Sequence, residues 1–292
     1  MSQTREIFLY ALLAVLIGTA ASVAANLFVQ GGAIFIWLSE ILRSVVSAAS
    51  FDYAPLVQAL CLFIGALLIY QIRRRFGVTK WSGPAESMFA LQYRAGPPLN
   101  TRIGAGSVFA AFVACGCGAP VGQYGPVIHL GATLSQALRN RIRRPLRPDI
   151  MLACGISGGI TGAFNAPFAA TAFVFEVMLR RYSAPVFAAV VLAAGSAYVV
   201  NEALFDHRLF LALAVSQPTL EAGILASLIA PLCALIAWCY IRSLHTMQAW
   251  SSKSTLSPGV KIAACALACA LIGGLVPELL GLGGQAIQDM LS

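Results

Sequence analysis

The chain has 292 residues, of which 59% are hydrophobic and 10% charged, and its mean hydropathy is +0.81. A soluble domain carries about 25% charged residues, so a soluble globular protein is excluded. The apolar runs are also too long and continuous for the ~10-residue alternation of a membrane barrel. The formal net charge of +8 fits the Lys and Arg that mark cytoplasmic loops. With no soluble domain to carry a basic face, no nucleic-acid partner is expected. What remains is an all-α polytopic membrane protein with room, at ~20 residues per span, for roughly nine or ten helical segments.

In chain order, the first apolar run covers residues 7–29 and is too long for the apolar region of a cleaved signal peptide. A second stretch, 33–46, can continue it as one long tilted helix. The span 55–72 is closed by Arg73-Arg74-Arg75. Residues 80–90 are too few to cross a bilayer and read as a half-helix headed by Trp81-Ser82-Gly83-Pro84. A Gly/Ala/Cys span, 103–119, ends at Pro120, and 125–138 is closed by Arg139, Arg141, Arg143, Arg144 and Arg147. Asp149 is placed to cap a helix over 150–164. Then come 167–178, closed by Arg180-Arg181, and 185–204. Two long spans, 219–241 and 258–276, are joined by a polar loop at 248–257.

The basic ends after Ile72, Leu138 and Leu179 are expected to face the cytoplasm of a multi-pass protein in the inner (plasma) membrane. The 26 glycines and abundant alanines let helices approach closely. The eight cysteines sit in apolar helical context, and Cys115-Gly116-Cys117 is too tight for the usual zinc spacing, so they are expected as buried thiols and no metal or other cofactor is predicted. No Ser-His-Asp set, HExxH or phosphate loop is present, and no enzyme activity is predicted. The competing reading from another class is a membrane enzyme or metal-thiol protein using the cysteines with His129.

Two breaks stand out. Gly122-Gln123-Tyr124-Gly125-Pro126 interrupts the hydrocarbon, and about forty residues later Gly162-Ala163-Phe164-Asn165-Ala166-Pro167 does the same. Within lipid, unpaired helix-end groups are tolerated only where they line a cavity or bind something. A helix N-terminus offers bare N–H groups and partial positive charge, which suit an anion. Ser82 and Gly83 can present a hydroxyl and amides; the same serine also suits an ordinary helix cap. Gln123, Tyr124 and Gly125 head the next helix, with Gly122 allowing close approach and Pro126 suited to the first turn. The segment 122–126 holds no Lys or Arg, which favours the modest affinity that conduction needs. Asn165 and Pro167 shape a tight turn between helices. His129, one turn into its helix, reads either as a titrating group or as a hydrogen-bonded packing residue. Glu176 reads as a surface carboxylate paired with Arg180 at i, i+4.

These motifs carry a resemblance. Gly122–Pro126 is similar to the Gly-x-Glu-Gly-Pro motif of the CLC chloride channel and transporter family. Residues 155–178 closely resemble that family's stretch centred on Phe-Asn-Ala-Pro, and Trp81–Glu86 more loosely resembles its Gly-Ser-Gly-Ile-Pro-Glu motif. The resemblance implies a bundle of tilted and broken helices built as two inverted repeats, a homodimer with one pore per subunit, and chloride or a similar small anion as the transported ligand. On that pattern residues 1–50 form an N-terminal helical region and 51–205 the first repeat. Residues 206–292 begin a second repeat, with Gly281-Leu282-Gly283-Gly284 as its early glycine turn. The second repeat is expected to be incomplete, and the chain a fragment or truncated product. Ser82 takes the place of the family's anion-coordinating serine. Tyr124 stands at the gate, where the family has a glutamate that competes with the anion and carries protons; a phenol is neutral at pH 7 and does neither. The second proton-relay glutamate falls at Val177, with Glu176 matching the one before it. The expectation is passive, proton-uncoupled anion movement. The alternatives are a proton-coupled antiporter using another acid, Glu86 or Glu176, and a non-conducting CLC paralogue or fragment.

Overall fold

The structure, a computed structural model, describes residues 2–47, 54–93, 99–142, 147–205, 219–281 and 283. Arg143, Arg144, His207, Leu282, Gly284 and the residues that follow lie outside the described residues. The chain forms two compact units, Met1–Arg208 with Ile262–Ser292, and Leu209–Lys261.

The first unit opens with α1 (Ser2–Ser47), the two leading apolar stretches joined into one helix. Its 46 residues span about 69 Å at 1.5 Å each, more than twice a ~30 Å hydrocarbon core. Such a helix must tilt strongly or extend beyond the bilayer. Then follow α2 (Ala54–Phe76), α3 (Pro84–Gln92), α4 (Thr101–Gly116), α5 (Tyr124–Arg141), α6 (Pro148–Phe164), α7 (Pro167–Phe173) continued by a π-turn over Val174–Leu179, and α8 (Ala184–Leu204). The described residues contain no strand. The nine-residue α3 reaches only about 14 Å, the half-helix read from the sequence.

α6 is the axis of this unit. Fourteen of its 17 residues are buried, against α1, α5 and α8. The glycines of its Gly-Ile-Ser-Gly-Gly-Ile-Thr-Gly run make this possible. A Cβ on Gly155 would run into the Gly131 carbonyl of α5, and one on Gly158 into the backbone of Gly18 in α1. Lipid is as apolar as leucine, so such close backbone packing, not hydrophobic collapse, holds membrane helices together. Ile17, Met151, Ile156, Val174, Val186 and Val190 fill the remaining space.

One polar knot pins the same helices. Asn201 of α8 is fully buried. Its Oδ1 accepts from Ser22 Oγ (2.6 Å) and Asn26 Nδ2 (2.7 Å) of α1. Its Nδ2 donates to the carbonyls of Thr161 (3.0 Å) and Gly162 (3.3 Å) at the end of α6. A lone asparagine in an apolar helix is held in lipid only by such partners.

Asp149 is not the α6 cap. Arg147 is the N-cap and Pro148 occupies the first turn, so Asp149 lies one residue inside. Its carboxylate is 3% exposed and pairs with Arg147 (2.7 Å) and Arg181 (3.4 Å). It thereby ties the start of α6 to the segment that follows the π-turn.

The second unit is α9 (Leu220–Lys253), which carries Pro231 and buries none of its residues. The expected polar loop at 248–257 is helical through Lys253, because it holds neither Gly nor Pro before Pro258. Lys261 Nζ closes the short connection by donating to the Ser251 carbonyl (2.6 Å). α10 (Pro258–Leu275) begins at that proline. Among the described residues five helices are long and apolar enough to cross a membrane, within α1, α2, α8, α9 and α10. The protein is a multi-pass membrane protein.

Candidate anion site

The head of α3 is built by a Gly-Pro pair. Gly83 is the N-cap and Pro84 the first helical residue, where its missing N–H costs nothing. The Gly83 amide donates to Glu86 Oε2 one turn on (2.9 Å), and Glu86 Oε1 also meets Lys80 (3.6 Å) at the surface. The Ser82 amide donates to Ser107 Oγ of α4 (3.0 Å). The Ser82 and Gly83 amides are therefore bound within the protein, and this tip also carries the Ser82 hydroxyl.

The head of α5 is arranged differently. Gln123 is its N-cap in helical conformation, no side chain caps the end, and Pro126 brings no N–H. The helix ladder starts with the Val127 amide to the Gln123 carbonyl (3.2 Å). The Tyr124 and Gly125 amides have no hydrogen-bond partner among the described residues. Gly122 is exposed, and residues 123–126 are half-buried. The two tips touch: a Cβ on Gly125 would stand 3.3 Å from Pro84 Cγ.

The Tyr124 ring stacks on Phe164, the last residue of α6, with centroids 4.1 Å apart and planes 24° apart. The turn beyond Phe164 depends on Asn165, which takes the left-handed conformation (φ 53°) that ends α6 and lets Pro167 open α7. Asn165 donates to Glu202 Oε1 (2.8 Å) and accepts from Asn201 Nδ2 (3.4 Å). The knot around Asn201 thus holds the turn that carries Tyr124's stacking partner.

His129 is 1% exposed and lies between the two helices. Its Nδ1 meets Ser87 Oγ of α3 (2.7 Å) and its Nε2 meets Ser82 Oγ (3.0 Å). Ser82 Oγ also lies 3.3 Å from Ser107 Oγ. Gly104 of α4 admits this approach, since a Cβ there would stand 3.3 Å from His129 Nε2. Ser82, Ser87, Ser107 and His129 form one hydrogen-bonded cluster at the α3 tip.

Glu176 is exposed and makes no ion pair among the described residues. The Glu176–Arg180 pair expected at i, i+4 does not form, for a geometric reason. The π-turn bonds the Arg180 amide to the Phe175 carbonyl (3.0 Å), and Arg180 itself is left-handed (φ 53°), which turns the two side chains off a common face. The cysteines are also not uniformly buried: Cys115 and Cys154 are, while Cys233, Cys239 and Cys265 are exposed. Among the described residues no three His, Cys, Asp or Glu side chains stand close enough to hold a metal ion.

The sequence did not single out Ser87, Ser107, Phe164, Asn201 or Glu202. Polar residues inside otherwise apolar helices were the available signal for Ser87, Ser107 and Asn201.

A bundle of long and broken helices, in which the uncapped start of α5 abuts the tip of the half-helix α3, defines a class of multi-pass membrane protein whose helix ends meet within the bundle. The sequence signature of the voltage gated chloride channel family matches residues 60–292, and the chain belongs to that family. The H(+)/Cl(-) exchange transporter ClcA of Vibrio parahaemolyticus serotype O3:K6 is 28% identical over 158 residues, 52% of this chain and 32% of the relative. The ClcA exchange transporter of Yersinia pestis bv. Antiqua is 29% identical over 143 residues, 45% of this chain and 28% of the relative. The chain thus matches less than a third of the length of these curated relatives. Its fold is that of a slow cyanobacterial Cl−/H+ antiporter (TM-score 0.83, 20% identity, 97% of this chain and 68% of that one). A CLC-type fluoride/proton antiporter is also similar (TM-score 0.74, 21% identity, 97% and 70%).

Proposed function

We propose that this protein passes a small anion of the chloride class across the membrane by a passive, proton-uncoupled route, and that it has no enzymatic activity. The observation that carries the reading is the uncapped α5 N-terminus abutting the α3 tip. The Tyr124 and Gly125 amides, with the partial positive charge of a helix start, offer an anion hydrogen bonds at a point where no lysine or arginine in segment 122–126 would trap it. The Ser82 hydroxyl is the matching contribution from α3. Gly83 contributes through the shape of the cap, because Glu86 holds its amide.

Tyr124 is the gate in this reading: its ring leaves Phe164 as an ion approaches the amides of its helix start, and a neutral phenol neither mimics the anion nor readily exchanges its proton at neutral pH. Family membership supports anion transport, and the exchange activity named for ClcA motivates the second reading, coupled antiport. Its candidate acids are poorly suited. Glu86 is bound to the Gly83 amide and Lys80, and Glu176 is exposed and unpaired. The arginine-rich ends of α2 and α5 and the Arg180-Arg181 pair orient to the cytoplasm of an inner membrane, and two copies pair as a homodimer with one pathway each.

Reconstitution into chloride-loaded liposomes tests this. Chloride efflux that moves no protons is expected. Uphill proton movement driven by a chloride gradient rejects the passive reading in favour of coupled antiport, and no anion flux from the full chain rejects transport.

A further inference from the structure

We infer that the groove between the starts of α1, α6 and α8 holds an anionic phospholipid, with one acyl chain along α8 and the phosphate at Arg147. The groove has a volume of about 330 Å³. Its wall is apolar, from Ile7 and Ala11 of α1, Ile150 of α6, and Ala188 and Leu192 of α8. Tyr10 and Arg147 are its polar side chains. It follows α8 from Pro185, in the first turn, to Leu192, about 10 Å further along the helix. An apolar slot of that length with a cation beside it fits a hydrocarbon chain that ends in a negative charge. The groove lies at the end of α6 opposite Phe164, roughly 25 Å away along that helix, so it stands apart from the proposed anion site and does not depend on it.

Charge at the mouth selects the headgroup. Asp149 pairs with two guanidiniums, Arg147 at 2.7 Å and Arg181 at 3.4 Å, so the trio carries one net positive charge. A guanidinium has five N–H donors and no acceptor. Asp149 takes two from Arg147, Nε to Oδ1 (3.2 Å) and Nη2 to Oδ2 (2.7 Å), and the other three have no partner among the described residues. A phosphate can take them while Asp149 stays in place. Arg147 is the N-cap of α6 and Ser183 that of α8, and neither start is closed by a side-chain cap. Two helix starts therefore add partial positive charge beside the groove. In the proposed orientation this mouth faces the cytoplasmic leaflet, where basic pockets between helices meet anionic lipid. A second copy or another apolar segment would fill the slot but leave the spare Arg147 donors and the net charge unmatched. A phospholipid satisfies both ends.

Native mass spectrometry of the detergent-purified full chain tests this, with dioleoyl phosphatidylglycerol and dioleoyl phosphatidylcholine as probes. The two lipids share their acyl chains and differ in net charge. Wild-type protein should retain phosphatidylglycerol about fivefold more tightly than phosphatidylcholine, the effect of one uncompensated cation at a membrane surface. Arg147→Gln should remove that preference by weakening phosphatidylglycerol alone, again about fivefold. Ala188→Trp fills the slot from an exposed position on α8. It should weaken both lipids about threefold or more, through lost packing. Equal retention of the two lipids by the wild type overturns the inference. So does an Arg147→Gln loss shared by both lipids, or unchanged retention in Ala188→Trp. An Ala188→Trp variant that keeps its lipid but turns from dimer to monomer gives the groove to a second copy and also overturns it. If Arg147→Gln does not fold, the other two measurements decide. Headgroup preference in the wild type together with weaker retention of both lipids in Ala188→Trp supports the site, and any other combination rejects it.

Discussion

Tyr124→Ala isolates the gate. The Tyr124 ring lies 4.1 Å from Phe164 between centroids, nearly parallel to it. An aromatic pair of this kind is worth about 0.5–1.5 kcal/mol beyond the area it buries. If the ring must leave Phe164 before an ion reaches the α5 amides, that energy forms part of the barrier to passage. Removing the ring then speeds flux by roughly two- to twelvefold, at about 1.4 kcal/mol per factor of ten. The assay is valinomycin-initiated chloride efflux from proteoliposomes, followed with a chloride electrode at low protein density. Phe164→Ala removes the same contact from the other side and should give a similar rise, and the double variant should give no further rise, since the two residues share one interaction. Tyr124→Phe keeps the stack and should stay close to the wild-type rate. Slower or unchanged flux in both alanine variants refutes the gate. A Tyr124→Phe rise equal to that of Tyr124→Ala shows that the hydroxyl, not the stack, forms the barrier.

Other perturbations probe the charge at the gate and the frame that carries it. Tyr124→Glu places a carboxylate, with a reference pKa of about 4.3, against two free amides. Ionised, it occupies the anion's place, so flux should fall as pH rises through the range where it loses its proton and recover in acid; flux that ignores pH in this variant argues that the α5 tip is not on the pathway. Asn201→Leu removes the hydrogen bonds that join α1, α6 and α8. At about 0.6 kcal/mol for each bond within a membrane protein, and up to about 1.7, the loss should total roughly 2–4 kcal/mol and lower the melting temperature in detergent; an unchanged melting temperature refutes the role given to the knot. Asp149→Asn takes the charge from between Arg147 and Arg181, whose side chains are 46% and 37% exposed and so remain hydrated. About 1 kcal/mol, and a drop of roughly 2 °C, is expected by scanning fluorimetry, and no measurable drop would assign the pairs to the surface class that contributes nothing.

The helices of the first unit were legible in the sequence because Gly, Pro and arginine punctuate them. α3 was recognisable as a half-helix from its length alone, whereas α1 runs as one helix through Gly31-Gly32, a pair that weakens a helix but does not interrupt this one. The failures have local causes. Polar composition suggested a loop at 248–257, yet Gln, Ala, Trp, Ser and Lys all sustain a helix in the absence of a breaker, and α9 runs to Lys253. The spacing of Glu176 and Arg180 assumed 3.6 residues per turn, and the π-turn there does not keep it. The motif residues Ser82, Tyr124 and Asn165 were found by type and spacing, whereas their partners are distant in sequence. Ser107 lies 25 residues from Ser82, and Asn201 lies 36 from Asn165. Which face of α4 or α8 meets the site depends on helix crossings fixed by glycines such as Gly104, Gly131 and Gly155, and periodicity alone does not encode those crossings.

In the proposed reading, the two helix tips divide the work of holding an anion. At α3 two leading amides are spent internally: Glu86 takes the Gly83 amide, Ser107 takes the Ser82 amide, and a carboxylate sits at the cap. The Glu86 carboxylate offsets part of the positive charge of that tip, and Ser82 is its side-chain donor. At α5 nothing caps the helix, so the donors are main-chain amides whose direction is fixed by the fold, backed by the partial charge of an 18-residue helix. An anion between them meets a rigid, weakly positive partner on one side and an orientable hydroxyl on the other. Rigid donors set where the ion sits without any rearrangement when it arrives, while the orientable hydroxyl can turn its proton away as it leaves. Binding by dipoles and hydroxyls, without a formal positive charge in segment 122–126, keeps the well shallow enough for the ion to escape. The tyrosine completes that logic. A glutamate at Tyr124 would supply a built-in competing anion and a proton to exchange, whereas an aromatic ring resting on Phe164 supplies only a steric barrier. In that reading a ring in place of the acid removes both the competition and the proton step in a single substitution, with the helix geometry that attracts the ion left as it is.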